Sequence, residues 1–222
     1  ILQDWQEKIV RDVFGWKQSS NHARKYRTVY IEVPRKAGKS TFASGIALLL
    51  LYIDGEEGAE VYSAATTVDQ ANIVFSIAQH MVSKSPMLKK RSDMVKRSIV
   101  VPSTNSFYRV ISADGKTKDG FDSHGLICDE LHAWKDRDLW DVLVTSTGAR
   151  QQPLTLAITT AGYDRNSICY EQHLYATQIE EGIIEDDSFY GVIFAADEKD
   201  DWTSPDTWAK AQPGLNVTVD IS

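Results

Sequence analysis

The amino-acid sequence predicts an α/β fold with a largely parallel sheet flanked by helices. Short apolar runs of strand-like composition alternate with segments of helical periodicity along most of the chain, which is typical of parallel α/β domains. The first strand-like run, residues 28–33 (TVYIEV), leads through residues 34–38 (PRKAG) into Lys39-Ser40 and a helix-like run. Gly-Lys-Ser at such a turn is the core of a phosphate-binding loop, where backbone N–H groups cradle phosphates and the serine binds Mg²⁺.

The remaining elements follow in chain order. Thr67 with Gln70 predicts a capping box, and Ser167 predicts a second helix start. The polar residues 197–222, with their prolines, are typical of a linker. We predict strands at residues 59–65, 98–101, 107–111, 125–128, 154–160 and 189–196, with helices after Thr67, around 138–144 and from Ser167 to about 181.

Composition limits the classes of protein that fit. The chain has 222 residues, 42% of them hydrophobic and 25% charged, which suits one large α/β domain or a domain with an appendage. The longest apolar run, residues 46–53, is too short to cross a membrane, and the first residues do not resemble a signal peptide. Cys128 and Cys169 lack metal-ligand spacing, so we expect reduced thiols in a cytosolic compartment.

The charge distribution is uneven. A formal net charge of −7 argues against a uniformly basic nucleic-acid surface. Lys116 and Lys118 form a small basic pair, and a larger basic group lies within residues 84–97. Such groups are typical either of a solvated surface or of local contact with a polyanion.

An acidic pair follows the apolar run at residues 125–128. Asp129 is placed to complete an Mg²⁺ shell with Ser40, and Glu130 to orient and activate a water against the terminal phosphate. Val33 occupies the position where the full phosphate-loop pattern has glycine. The alternative interpretation is therefore a chance loop and an ordinary acidic strand end, but the agreement of local and global signals favours a nucleotide site.

Other polar residues are candidates for supporting roles. Arg35 and Lys36 lie inside the loop and are placed to act in cis on a phosphoryl group, whereas Lys116, Lys118 and Arg150 are candidates for action across a subunit interface. Each of these cations is alternatively a plain surface charge. Residues 159–162 (TTAG) end a strand where ligands bind in α/β sheets, so they either sense the terminal phosphate or form an ordinary turn.

Two further residues have a functional and a plain interpretation. The Gln6 amide is suited to reading an adenine edge, or else it is a surface residue beside a core Trp5. His132 is the only histidine near the proposed site, and we expect a structural or surface role because no second metal ligand is evident.

Taken in order, these motifs resemble the large terminase subunit of tailed bacteriophages. The resemblance covers about residues 1–200, and the family tolerates the missing glycine at Val33. It is carried by Trp5-Gln6 and residues 13–16 (VFGW), 33–41 (VPRKAGKST), 64–67 (AATT), 69–71 (DQA), 126–130 (LICDE) and 158–162 (ITTAG).

The resemblance implies a three-layer P-loop NTPase of the additional-strand catalytic-glutamate class. It further implies ATP hydrolysis with Mg²⁺, coupled to movement of double-stranded DNA into a procapsid in the host cytoplasm, without a membrane. The implied partners are the portal protein, the procapsid, the small terminase subunit and further copies of the chain in a ring, although the isolated domain could be a monomer. Residues 1–200 would form the ATPase domain and 201–222 the start of a linker towards a C-terminal nuclease domain, whose acidic residues this chain does not contain.

By resemblance, Glu130, Arg35 and Lys39 would be catalytic, and Ser40 and Asp129 would hold Mg²⁺. The coupling residues would be Thr159, Thr160, Ala161 and Gly162. Nucleotide would bind to Gln6, Pro34, Arg35, Lys36, Ala37, Gly38, Lys39, Ser40 and Thr41.

Three alternatives stay open from the residues themselves. The first is another nucleic-acid-dependent P-loop ATPase, such as a helicase-like translocase. The second is a small-molecule P-loop kinase, although Asp129-Glu130 and Thr159-Thr160 suit hydrolysis better. The third is a nucleotide-binding module without turnover, which the presence of Lys39, Asp129 and Glu130 disfavours.

Overall fold

The computed structural model describes residues 1–112, 120–135 and 137–219. These residues form one mixed sheet with helices on both faces. The strands are β1 Thr28–Glu32, β2 Glu60–Ala65, β3 Asp93–Val95, β4 Ser98–Val101, β5 Ser106–Ser112, β6 Ser123–Asp129, β7 Leu154–Thr159 and β8 Phe189–Ile193. The helices are α1 Asp4–Gly15, α2 Lys39–Tyr52, α3 Val68–Lys84, α4 Pro86–Lys90, α5 Asp138–Thr145, α6 Ile168–Glu180 and α7 Pro205–Ala211.

The strand order places the predicted site motifs at one edge of the sheet. The order is β3-β4-β5-β2-β6-β7-β1-β8; the pairings β3–β4 and β4–β5 are antiparallel, and the others are parallel. Strand β7 therefore lies between β1, which precedes the phosphate loop, and β6, which ends in Asp129. In register, Glu32 pairs with Thr159, and Asp129 pairs with Ile158. This extra strand between the two motif strands confirms the predicted fold class.

Side chains that alternate along the strands build a core on each face of the sheet. Val29 and Ile31 of β1 pack in a cluster with residues of α1, α2 and α3, whereas Tyr30 packs in the opposite cluster with residues of α5 and α6. All residues of β6 and β7 are buried, as expected for central strands covered on both faces. The three-layer arrangement follows from this two-sided burial.

The expected core anchor and the thiols are found as predicted. Trp5 of α1 is buried, and its ring centroid lies 5.4 Å from that of Phe42 and 5.6 Å from that of Phe194. Cys128 and Cys169 are buried and free. Within the described ranges, the helices are too short or too polar to cross a lipid bilayer.

The segment predicted as a linker contains a helix that leads back to the phosphate loop. Helix α7 begins after Ser204, whose side chain accepts a hydrogen bond from the Asp206 N–H. Beyond it, Gln212 Nε2 donates to the Arg35 carbonyl at 3.1 Å. Gly214 lies so close that a Cβ atom there would be 3.3 Å from Ala37 Cα. Residues after 200 therefore support the loop, while the predicted domain boundary at 200 stays a prediction.

Candidate nucleotide-binding and catalytic site

The turn between β1 and α2 has the backbone of a phosphate-binding loop. Lys36 and Gly38 adopt positive φ angles of 66° and 85°, which glycine takes without a Cβ penalty and lysine does not. Val33 is buried in the core, and its N–H donates to the Thr159 carbonyl at 3.0 Å. The residue at the missing-glycine position thus extends the sheet and does not line the turn, which explains why a side chain is tolerated there.

Helix α2 presents its N-terminus to a cavity of about 520 Å³. The Gly38 N-cap has no side chain to satisfy the first N–H groups, so these groups and the helix dipole favour an anion there. The volume is typical of a small-molecule site. The cavity is lined by Arg35, Lys36, Gly38, Lys39, Ser40, Thr41, Ala65, Gln70, Ile73, Asp129, Glu130, His132 and Ala133.

Lys39 points from this helix towards the acidic pair. Its side chain is only 7% exposed, and its Nζ lies 3.9 Å from Glu130 Oε1. Burial lowers the pKa of Lys39, while the carboxylates of Glu130 and Asp129 oppose that shift. The Lys39 ammonium group is desolvated, and its contact with Glu130 is long at 3.9 Å, so it is well placed to bind a phosphate.

Asp129 is held at the end of β6 in a dry environment. Its Oδ1 accepts the Glu130 N–H at 3.0 Å, and its carbonyl accepts from Trp134 Nε1 at 3.2 Å. Burial, and then the neighbouring Glu130 carboxylate, raise the pKa of Asp129 to about 6, although the Glu130 N–H and Lys39 oppose the shift. This cost to the charged form is what a bound cation would relieve.

Glu130 occupies a strained backbone conformation directly after the strand. Its φ of 50° and ψ of 49° lie in the left-handed region, which is uncommon for a residue with a Cβ atom. The Glu130 N–H donates to the Ile158 carbonyl at 3.0 Å, so β7 holds the turn. Strain of this kind is concentrated at functional sites, and here it directs the carboxylate towards Lys39.

The oxygen atoms beside the loop suit an Mg²⁺ ion. The Ser40 hydroxyl and the buried Asp129 carboxylate line the same cavity, and both are the hard oxygen ligands that Mg²⁺ prefers. Among the described residues, there is no group of three or more His, Cys, Asp or Glu side chains placed to hold a metal. An Mg²⁺ at Ser40 and Asp129 would therefore take most of its ligands from phosphates and water.

The predicted coupling residues contact both sides of the site. Thr159 is fully buried; its carbonyl accepts from the Val33 N–H at 3.0 Å, and its Oγ1 accepts from the His132 N–H, also at 3.0 Å. Thr160 is 9% exposed, whereas Ala161 and Gly162 are exposed at the sheet edge. The segment thus links the strand before the phosphate loop with the turn that follows Glu130.

His132 is the residue whose involvement the sequence did not predict. Its Nδ1 lies within 3.2 Å of Thr159, Thr160 and Glu130 oxygens. The expected structural or surface role did not include these contacts, which arise because the short 3₁₀ turn Leu131–Ala133 carries the ring back over the sheet edge. The only sequence signal is its position two residues after Glu130.

Gln6 lies beside the phosphate loop, as expected for an adenine-reading residue. It is buried, and its Nε2 would be 3.5 Å from a Cβ atom on Gly38. Its Oε1 accepts the Gln3 N–H at 3.1 Å in the capping box of α1. Gln6 also lines a second, largely apolar cavity of about 400 Å³, which adjoins Thr41. The amide nitrogen therefore lies against Gly38 of the phosphate loop, while the amide oxygen serves the helix cap. The reading of adenine by Gln6 stays a prediction.

The candidate trans-acting cations have different outcomes. Arg150 is 10% exposed and ion-pairs with Glu56 at 3.2 Å and Asp122 at 3.1 Å. It also donates to the Gly58 carbonyl at 2.8 Å. These partners lie at the amino ends of β2 and β6, so Arg150 has a structural role within the domain, while its action across a subunit interface stays a prediction. Lys116 and Lys118 lie outside the described residues.

Comparison with known proteins identifies the family to which this chain belongs. The profile of the family described as "Terminase large subunit, ATPase domain" matches residues 4–178, which is most of the chain. The chain belongs to this family of ATPase domains. The large terminase of Enterobacteria phage HK97 is 28% identical over 196 residues, which cover 84% of this chain and 37% of that protein. Protein YmfN of Escherichia coli K12 is 39% identical over 101 residues, 46% of this chain and 22% of that protein.

Solved terminase structures have the same fold. The HK97 large terminase matches with a TM-score of 0.85 at 22% identity, over 100% of this chain and 45% of that chain. The large terminase of a thermophilic bacteriophage, in complex with ATP-gamma-S, matches with a TM-score of 0.59 at 11% identity over 88% of this chain and 45% of that chain. This terminase domain therefore spans less than half the length of the curated relatives it matches.

Proposed function

We propose that this domain hydrolyses ATP and that the protein containing it uses the hydrolysis to move double-stranded DNA into a procapsid. One observation carries the proposal. Because β7 lies between β1 and β6, the phosphate loop, the Asp129-Glu130 pair and the coupling threonines all meet at one edge of the sheet.

Each residue has a role that follows from its position. The loop N–H groups and Lys39 bind the phosphates, and Gln6 faces the base. Ser40 and Asp129 would hold Mg²⁺, which would neutralise charge on the phosphate oxygens. Glu130 orients and activates the attacking water. Arg35, exposed at the rim of the cavity, supplies positive charge to the transferring group.

Family membership supports a proposal for the larger assembly. The proposed partners are duplex DNA, a portal and procapsid, a small terminase subunit and further copies of the chain in a ring, all in the host cytoplasm. A ring reconciles the net charge of −7 with a DNA substrate, because only the surface that faces DNA needs to be basic. Thr159 to Gly162 would carry the change in phosphate occupancy to the rest of the domain.

Two substitutions separate nucleotide binding from hydrolysis. We expect Glu130→Ala to retain ATP binding and to lower turnover by roughly 10²–10⁴-fold, the usual contribution of a positioned base. We expect Lys39→Ala to raise the Kd for ATP, because the buried ammonium group contacts phosphate. Calorimetry of ATP binding and phosphate release measure the two effects, and Lys84→Ala on the exposed end of α3 is the control. An unchanged Kd in Lys39→Ala would contradict the phosphate-loop assignment.

The motor function needs a separate measurement. The full protein that contains this chain, mixed with procapsids and duplex DNA, should protect DNA from nuclease when ATP is supplied. The Glu130→Ala protein should not. If the wild-type protein hydrolyses ATP in the presence of procapsids without any DNA uptake, another role for the ATPase is correct.

A further inference from the structure

One ring nitrogen of His132 faces the Glu130 carboxylate and the hydroxyl groups of the two coupling threonines. Its Nδ1 lies 3.1 Å from Thr159 Oγ1, 3.2 Å from Thr160 Oγ1 and 3.2 Å from Glu130 Oε2. An imidazole nitrogen carries either one proton or one lone pair. It cannot serve the carboxylate and the threonines at the same time.

The hydrogen bonds around Thr159 identify which role this nitrogen plays. The Thr159 hydroxyl donates to the Thr160 carbonyl at 2.9 Å and accepts the His132 backbone N–H at 3.0 Å. Its proton is therefore used, and towards His132 it acts as an acceptor. The 3.1 Å contact with Thr159 is therefore a hydrogen bond only when Nδ1 carries the proton. A carboxylate also accepts from an N–H, so the same donor suits Glu130 without any change of tautomer.

Glu130 lacks a donor at the oxygen that faces this ring. Its Oε2 is buried and has no hydrogen-bond partner within the described part of the chain. The contact with Nδ1 at 3.2 Å has the distance of an ion pair but not the direction of a hydrogen bond. A buried carboxylate oxygen without a donor is costly. A small rotation of the His132 ring would supply one.

The backbone around His132 is closely packed, whereas its ring is partly exposed. The residue lies in the turn Leu131–Ala133, with Leu131 fully buried. Gly162 of the coupling segment passes so close that a Cβ atom there would be 3.2 Å from His132 Cβ. The side chain itself is 23% exposed and borders the nucleotide cavity.

We propose that His132 is a positioning residue that links Glu130 to the coupling threonines. With ATP bound, Nδ1–H donates to Glu130 Oε2 and holds the carboxylate in line with the attacking water. After the terminal phosphate leaves, Nδ1–H returns to Thr159 and Thr160, as in the arrangement described above. The link rests on the proposed hydrolysis of ATP at this site, and it gives the coupling segment a direct contact with the catalytic carboxylate.

Three substitutions at one position test the role of Nδ1. Asparagine places a side-chain N–H near the position of Nδ1, glutamine places one near Nε2, and alanine removes both. We expect His132→Ala to lower kcat about tenfold, the effect of losing one hydrogen bond to a charged group, with little change in the Kd for ATP. His132→Asn should keep most of the activity, and His132→Gln should resemble alanine. His80→Ala, on the exposed face of α3, is the matched control.

The outcomes separate this inference from the proposed function. Hydrolysis by the wild type and by His80→Ala supports the ATPase, whatever the His132 variants do. Unchanged kcat in His132→Ala, or equal activity in the Asn and Gln variants, would overturn the link. If His132→Ala does not fold, Thr159→Val and Thr160→Val test the same contact in the wild-type and His132→Gln backgrounds, since glutamine lacks an N–H at the position of Nδ1. Losses that simply multiply there would show that His132 and the threonines act independently, and would refute the proposal.

Discussion

Asp129 holds a carboxyl group where its surroundings oppose the charge that its proposed role requires. It is 4% exposed, and burial together with the adjacent Glu130 raises its pKa from 3.8 to about 6. Without a bound cation, the ionised residue therefore destabilises the fold. This is a local conflict of the kind that is expected at a functional site and rare elsewhere.

We expect Asp129→Asn to stabilise the domain at neutral pH. The folded state binds the Asp129 proton more tightly than the unfolded state, so wild-type stability falls as pH rises from about 4 to about 6. The variant avoids this loss and should be more stable by roughly 3 kcal/mol at pH 7, with the difference vanishing below about pH 4. Urea unfolding in EDTA measures it. With Mg-ATP, the wild type should become more stable than the variant, because only the wild type gains free energy of unfolding from the ligand. A variant that is less stable than the wild type without ligand would contradict this prediction.

Single residues show where sequence reasoning succeeds and where it stops. The sequence brings Lys39, Asp129 and Glu130 together because each motif adjoins a strand end, and parallel strands align those ends. It fails for His132 because the partners Thr159 and Thr160 are 27 and 28 residues away in sequence, and only the register of β6 against β7 brings them together. The ion pairs of Arg150 were not predicted for the same reason, since the acidic partners of that residue belong to other loops.

At the scale of elements, the strands and helices that the sequence predicts occur in the predicted order, whereas helices α1 and α4 were not predicted. Some observed boundaries differ from the predicted ones because pairing within the sheet, and not the local sequence pattern, sets the end of a strand. The last strand stops at Ile193 because only residues up to Ile193 pair with β1. The short exposed strand β3 has no sequence signal and exists through pairing with β4. Helix α7 lies within the polar tail and was not predicted. The contact between Gln212, just after this helix, and the phosphate loop is the largest difference from the expected linker.

We expect residues 201–222 to affect nucleotide binding without being needed for folding. The two apolar clusters of the core contain no residue beyond 200 among those described, so a chain of residues 1–200 should fold. Gln212, however, donates to the Arg35 carbonyl inside the loop. Losing that bond should cost about 1 kcal/mol and raise the Kd for ATP about fivefold. Both the truncated chain and Gln212→Ala should show this in calorimetry, while Gln172→Ala on α6 should not. Equal affinity in all three would show that the tail is an ordinary linker.

Over the whole molecule, the charge is negative but not evenly spread. Residues 84–97 include one acid, Asp93, and a group of basic residues that are all exposed. No ion pair engages these basic side chains within the described ranges, in contrast to the paired Arg24 and Arg150. The exposed basic residues are Lys84, Lys89, Lys90, Arg91, Lys96 and Arg97. On an acidic protein proposed to move DNA, this segment is the part of the described surface best suited to phosphate contact.

We expect the double substitution Lys89→Glu and Lys90→Glu to weaken retention of duplex DNA. Each lost phosphate contact should reduce the slope of log K against log salt by about 0.9. Turnover of ATP without DNA should not change, because α4 lies outside the nucleotide cavity. The matched control is Lys17→Glu with Lys199→Glu, which alters net charge equally at exposed positions elsewhere. If both variants lose DNA binding to the same extent, net charge alone governs it; only a selective loss with a reduced slope identifies residues 84–97 as a DNA-contacting surface.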